Sequence, residues 1–346
     1  MLSKYILIFA VIITGCIEEI DTANIPLEEF TTSSLLLREI EERGDYINTS
    51  ASSLFSSFVT ADSLYRNKDK FDIIDIRSTD KYQAGHIEGS VNISTNNLFE
   101  YFKNNSIKNS VIVSSSGQSA AYYTYLFRIY GYSNVYSLLF GIAAWNKLFE
   151  NEVLNNVSNM GIGTDITLHY PSKYYSLPAV PNVENKNIKD LFEERIINLF
   201  LEGFQEEIPI GVDTYQSINT INFAQLKSNL SDYYTACYGT SDLYSDPKGG
   251  IGHLPGTVLY YPYYPNSDLS SVSFLQTFPD DRKIAIYSYS GHLSAMLTAH
   301  LRLLGYDARS VLFGGLDGNY NYLKDLISAG RFYYYTGAKD FPLIIN

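Results

Sequence analysis

The stretch Val111-Ile-Val-Ser-Ser-Ser-Gly-Gln-Ser119 decides the fold, together with the helical pattern from Tyr122 to Tyr130 and the Gly131-Tyr132 that ends it. Val111, Ile112 and Val113 are three β-branched residues in a row with no polar alternation, the pattern of a strand covered on both faces. The small residues after Val113 make a tight turn, and Gly131 stands where a helix stops. Working outward, the same order recurs in Ile284-Ala-Ile-Tyr-Ser-Tyr-Ser-Gly-His-Leu-Ser294. There Leu293, Met296, Leu297, Leu301 and Leu304 fall at helical spacing before Gly305. Upstream, Phe71-Asp-Ile-Ile-Asp-Ile-Arg77 reads as another buried strand, followed by Gly85-His86-Ile87-Glu88-Gly89. The second copy has Gly252-His253-Leu254-Pro255-Gly256. Downstream, Leu139-Phe140-Gly141 is matched by Leu312-Phe313-Gly314. Strand, turn and helix alternating twice predict an α/β fold with two parallel sheets of about five strands, each with helices on both faces.

The segments after the central strands carry the chemistry: Ser114, Ser115, Ser116, Gly117, Gln118 and Ser119 in the first copy, and Ser288, Tyr289, Ser290, Gly291, His292, Leu293 and Ser294 in the second. A turn between a strand and a helix N-terminus aims successive amides into one small space, and the helix dipole adds to the attraction for an anion. A parallel sheet places its sites at this end of its strands. Taken alone, a Ser/Gly turn equally serves to cap the helix.

Taken with the flanking motifs, the pattern resembles the rhodanese (thiosulfate sulfurtransferase) family. Asp75, Arg77, Gly85, His86, Ile87 and Gly89 match its Asp-x-Arg and Gly-His-Ile-x-Gly signature, and Gly141 and Trp145 match a further Gly…Trp pattern. The resemblance implies two domains in tandem behind a lipid signal. It also implies that a loop cysteine should stand at Ser114 and Ser288, three residues before Gly117 and Gly291. Persulfide chemistry needs a thiolate, and a serine hydroxyl cannot carry sulfane sulfur. The reading is therefore a binding or scaffold module, or a module for a small oxyanion, with no turnover. The alternative is an active sulfurtransferase that uses Cys237; a phosphatase-like activity, which also relies on a loop cysteine, ranks below it. Aligned on the strand, Ala236 and Tyr238 take the places of Asp75 and Arg77, and Cys237 is expected as a small buried hydrophobe. Asp75, Arg77, His86 and His253 are expected in structural polar networks, and His292 as a loop histidine.

The ends set the compartment. Lys4, the apolar run Tyr5 to Ile13 and the lipobox-like Ile13-Thr14-Gly15-Cys16 predict a signal peptide with lipid on Cys16. The run is too short to span a bilayer, which takes about 20 helical residues. The expected organisation is a signal at 1–15 and an acidic tether with the N-terminal segment at 16–50. Domains follow at 51–150 and 208–335, with a linker at 151–207 containing a helix over Asn187 to Phe204, and a tail at 336–346. The site is then the cell envelope, outside the cytoplasm. A net charge of −12 excludes nucleic acid as a partner. Cys16 and Cys237 are the only cysteines, and the five histidines show no metal-ligand spacing along the sequence, so no cofactor or metal is expected. Many of the 31 tyrosines are read as partly buried, with the ring packed and the hydroxyl wet.

Overall fold

The computed structural model describes residues 31–43, 57–105, 108–159, 161–182, 184–207, 218–245, 252–262, 269, 272–328 and 335–345. The signal peptide, Cys16 and the acidic residues up to Glu29 lie outside them. Among the described residues no helix is long and apolar enough to cross a membrane.

The first sheet comprises β1 (Phe58–Val59), β2 (Asp72–Asp75), β3 (Val91–Asn92), β4 (Ser110–Val113) and β5 (Val135–Leu138) in the order β1-β5-β4-β2-β3, all parallel. The second comprises β6 (Thr220–Ile221), β7 (Tyr233–Tyr238), β8 (Val258–Tyr260), β9 (Lys283–Tyr287) and β10 (Ala308–Val311) in the order β6-β10-β9-β7-β8, again parallel. The two orders are the same topology repeated. All four residues of β4 are buried, and so are the last four of β9. Successive strand side chains point to opposite faces, so both sheets are covered on both sides.

Each central strand runs into a loop and then a long helix, Gln118–Tyr130 in the first copy and His292–Leu303 in the second. These two helices pack against each other, with a Tyr125 Oη–His300 Nδ1 hydrogen bond between them. The connector helix Ile188–Glu202 begins at the Asn187 cap and lies across the pair. Arg195 on it donates to the carbonyls of Leu303 and Arg302, satisfying the end of the second loop helix.

Two terminal segments depart from expectation. Thr32–Arg43, within the expected tether and N-terminal segment, is a helix whose Leu36, Leu37 and Ile40 are buried. Its Arg43 donates to Tyr130 O and its Ser33 to Leu304 O, so it closes the ends of both loop helices. Residues 335–345, assigned mainly to a tail, return to the first copy. Tyr335 Oη donates to Ala143 O, Trp145 Nε1 donates to Pro342 O, and Phe341 stacks on Tyr65. His86 and Ile344 exchange two backbone hydrogen bonds. Some tyrosines are more deeply placed than the expected partly buried position: Tyr122, Tyr123, Tyr125, Tyr238, Tyr244, Tyr260 and Tyr287 are fully buried. Several of their hydroxyls bond inside the fold, as Tyr244 Oη does to Thr257 O and Tyr260 Oη to Thr277 O.

Candidate functional site: two facing loops

In the first loop the backbone turns through Gly117 and enters its helix at Gln118. Ser114 Oγ lies at the focus, accepting from Gly117 N at 3.1 Å and Ala120 N at 3.3 Å. Two more amides, Ser116 N and Ser119 N, point into the same space and meet a carboxylate of the chain itself. Ser116 N donates to Glu206 Oε1 at 3.1 Å, and Ser119 N to Glu206 Oε2 at 2.8 Å. The hydroxyls of Ser114 and Ser116 donate to Glu206 Oε2 at 3.1 and 3.0 Å. Ser115 Oγ donates to Glu207, which Lys81 also holds at 2.8 Å. The converging amides anticipated for a free oxyanion are therefore engaged by Glu206, which sequence reasoning left in the linker. Burial raises the Glu206 carboxyl above its ordinary value; the Ser119 amide opposes this and the Glu207 charge adds to it.

The second loop is arranged differently. Ser288 Oγ accepts from Ser294 N at 3.2 Å and donates to Ser294 Oγ at 3.3 Å, and Ser294 Oγ continues to Ser310 Oγ at 2.9 Å. Ser290 Oγ bonds His292 Nδ1, and Tyr289 Oη bonds Thr240 Oγ1. Leu293, the second helical residue, is buried. His292 is also buried and reaches the other copy: Phe140 N donates to His292 Nε2 at 3.2 Å. The equivalent residue of the first loop, Gln118, does the reverse, accepting from Phe313 N at 2.8 Å through Oε1. Its amide nitrogen is fixed by Ser116 Oγ. Phe140 and Phe313 are the left-handed non-glycine residues of the two Leu-Phe-Gly turns, with φ of 61° and 59°. Each strained turn is thus clamped by the other copy's first helical side chain.

This geometry fixes a pH dependence. His292 accepts at Nε2, so its proton sits on Nδ1, facing Ser290 O. Burial pushes both His292 and His300 down to about 4. An unfolded histidine protonates near 6.5, so below that pH the unfolded chain takes up protons that the fold refuses. Stability is fully present above about pH 6.5 and falls as pH drops toward 4, by roughly 3 kcal/mol for each histidine. The raised Glu206 carboxyl acts in the opposite sense, favouring the fold as it protonates. His292→Gln, which copies Gln118, is expected to keep the clamp and to flatten the profile. Urea midpoints measured from pH 8 to 4 test this: the same slope in the variant as in the wild type would assign the effect elsewhere.

Behind the first loop, at the buried end of β2, Arg77 forks onto Asp75 and also donates to Gly85 O. Strand register corrects the equivalence drawn from sequence. Asp75 pairs with Val113, which precedes Ser114, and Cys237 pairs with Tyr287, which precedes Ser288. Cys237 thus takes the place of Asp75, and Gly239 that of Arg77. Cys237 is fully buried in β7, and burial pushes its thiol well up, away from the thiolate. His86 and His253 each place Nδ1 against a carbonyl, Tyr82 O at 3.0 Å and Tyr244 O at 3.1 Å. The histidines do assemble a ligand-like group, contrary to their spacing along the chain. Asp165, His169 and His253 bring one ligand atom each to within 4.8 Å of one another.

The rhodanese-like domain profile matches residues 60–148. The thiosulfate sulfurtransferase GlpE of Pseudoalteromonas translucida is 34% identical over 91 residues, covering 25% of this chain and 84% of that protein. That of Pseudomonas entomophila is 31% identical over 84 residues, covering 23% and 74%. Among solved structures, a rhodanese-related protein of Thermoplasma volcanium aligns at 25% identity and TM-score 0.23, covering 24% of this chain and 84% of that one. A probable thiosulfate sulfurtransferase aligns at 15% identity and TM-score 0.27, covering 74% and 96%.

Proposed function

This chain belongs to the rhodanese-like family, and from that premise we propose that it is a non-catalytic tandem module, lipid-anchored at the cell envelope through Cys16, that binds a protein partner. The observation that carries the reading is Glu206. In sulfur transfer a loop thiolate attacks the sulfane sulfur of thiosulfate, forming an S–S bond as sulfite leaves. In this reading Ser114 and Ser288 stand where that thiolate belongs, and neither can carry the sulfur. The first loop's amides, the donors that would steady an incoming anion, already hold the chain's own carboxylate. A small oxyanion would have to displace Glu206 together with its hydroxyl contacts, so a protein surface is the better-supported ligand. The net charge of −12 further disfavours capture of small anions.

The experiment is a thiosulfate-to-cyanide transfer assay on the purified protein. No thiocyanate above the Cys237→Ala background is expected. Turnover that disappears in Cys237→Ala would overturn the proposal and install a sulfurtransferase with a non-standard thiol. A companion measurement is thiol labelling: Cys237 is expected to resist an alkylating reagent in the native protein and to react fully once unfolded.

A further inference from the structure

We propose that Asp165, His169 and His253 form a binding site for one divalent transition-metal ion, zinc by the choice of donors. The site joins the connector to the Gly-His turn of the second copy and is independent of the two loops.

His253 is the anchor. Its ring is stacked on Tyr244, and its side chain is 0% exposed. Its Nδ1 faces Tyr244 O at 3.1 Å, which places the proton there and leaves the Nε2 lone pair free. That Nε2 is buried with no hydrogen-bond partner among the described residues. Its nearest charged neighbour, Asp165 Oδ2, is 3.6 Å away, too far for a hydrogen bond. A buried acceptor left unmatched in this way carries a desolvation cost that nothing in the fold offsets. A cation between the two groups removes that cost.

The other two donors are aimed at the same point. Asp165 Oδ1 accepts from Thr167 N at 2.9 Å, which orients the carboxylate and leaves Oδ2 toward the histidines. His169 Nε2 lies 3.6 Å from that same Oδ2. Two imidazoles and one carboxylate are a donor set that suits zinc and its neighbours in the first transition row. Ligand atoms about 2 Å from a shared ion stand roughly 3.3 Å apart, so small side-chain movements close the site. His169 is 44% exposed, which gives an ion an entry path and room for a bound water.

The backbone beneath is fixed. Asp165 and His253 exchange two main-chain hydrogen bonds, and Leu259 N donates to His169 O. The first copy supplies an internal comparison. His86 is held in the same way, stacked on Tyr82 and paired through its backbone, but its partner is Ile344. An aliphatic residue stands where the second copy has Asp165, so the shared turn builds a ligand set only once.

The test uses the processed chain without a polyhistidine tag, stripped of metal and titrated with Zn²⁺ by calorimetry and with Co²⁺ by visible absorption. One equivalent should bind, with a d–d spectrum from mixed nitrogen and oxygen ligands, and zinc should raise the melting temperature. His169→Ala and Asp165→Asn, both at partly exposed positions, should keep the far-UV spectrum and weaken binding by at least about tenfold. Absence of stoichiometric uptake by the wild type would overturn the proposal. So would variants that bind as the wild type does.

Discussion

Ser114→Cys combined with Glu206→Ala is expected to gain a sulfane-carrying thiol, whereas Ser114→Cys alone is not. A sulfur at position 114 inherits the amides of Gly117 and Ala120, which now reach Ser114 Oγ at 3.1 and 3.3 Å. Those donors and the helix start favour a thiolate. Glu206 Oε2 lies 3.1 Å from the same position. A carboxylate that close raises a thiol by about 1–3 pK units, removing tenfold or more of the thiolate. Glu206→Ala lifts that penalty and frees Ser116 N and Ser119 N for the substrate's sulfonate oxygens. Mass spectrometry after thiosulfate treatment should show one added sulfur atom in the double variant, and cyanide should remove it. Equal sulfur uptake by the single variant would mean that Glu206 does not control the loop. Uptake by neither would mean that the amides alone cannot activate a thiol here.

The largest loss of stability is expected from Gly314→Ala. A Cβ at Gly314 would stand 1.9 Å from Ser288 O, at φ +50°. The obstacle is backbone, held by Gly315 N at 2.8 Å, and cannot rotate away. Left-handed alanine costs about 1 kcal/mol by itself, and moving the loop strand end adds its hydrogen bonds, for a total near 4 kcal/mol. Gly256→Ala is the control: its φ is also positive, at +76°, but a Cβ there meets nothing within 4 Å. It should cost only about 1 kcal/mol, the conformational part. Urea titrations of the two variants measure the difference. Equal midpoints would show that the turn relaxes without resistance.

The central strands, their loops and the helices after them are legible because each is written locally. Three β-branched residues in a row specify a buried strand, and Gly131 and Gly305 mark where the helices end. What was not legible depends on partners distant in the chain. Glu206 follows the connector helix with nothing in Gln205-Glu206-Glu207 to say that it turns inward. Leu36, Leu37 and Ile40 form an apolar stripe that the acidic residues upstream obscure. Residues 335–345 have no periodicity, since their attachment runs largely through backbone groups and the Trp145 indole. The second copy's β7 lacks an Asp/Arg pair to anchor an alignment, which is why the residue equivalences there were one position out. Asp165 and His169 reach His253 only through a backbone bridge that no spacing rule anticipates.

The crossed contacts of Gln118 and His292 change what the repeat is. A duplicated unit normally keeps the option of living alone. In this chain each half lends the other the acceptor that steadies its left-handed phenylalanine. A polypeptide ending before the connector would bare the flank of its long helix and leave the Phe140 amide without its acceptor. Cleavage within the connector should accordingly leave two fragments that stay joined, and neither half should be recoverable in folded form by separate expression.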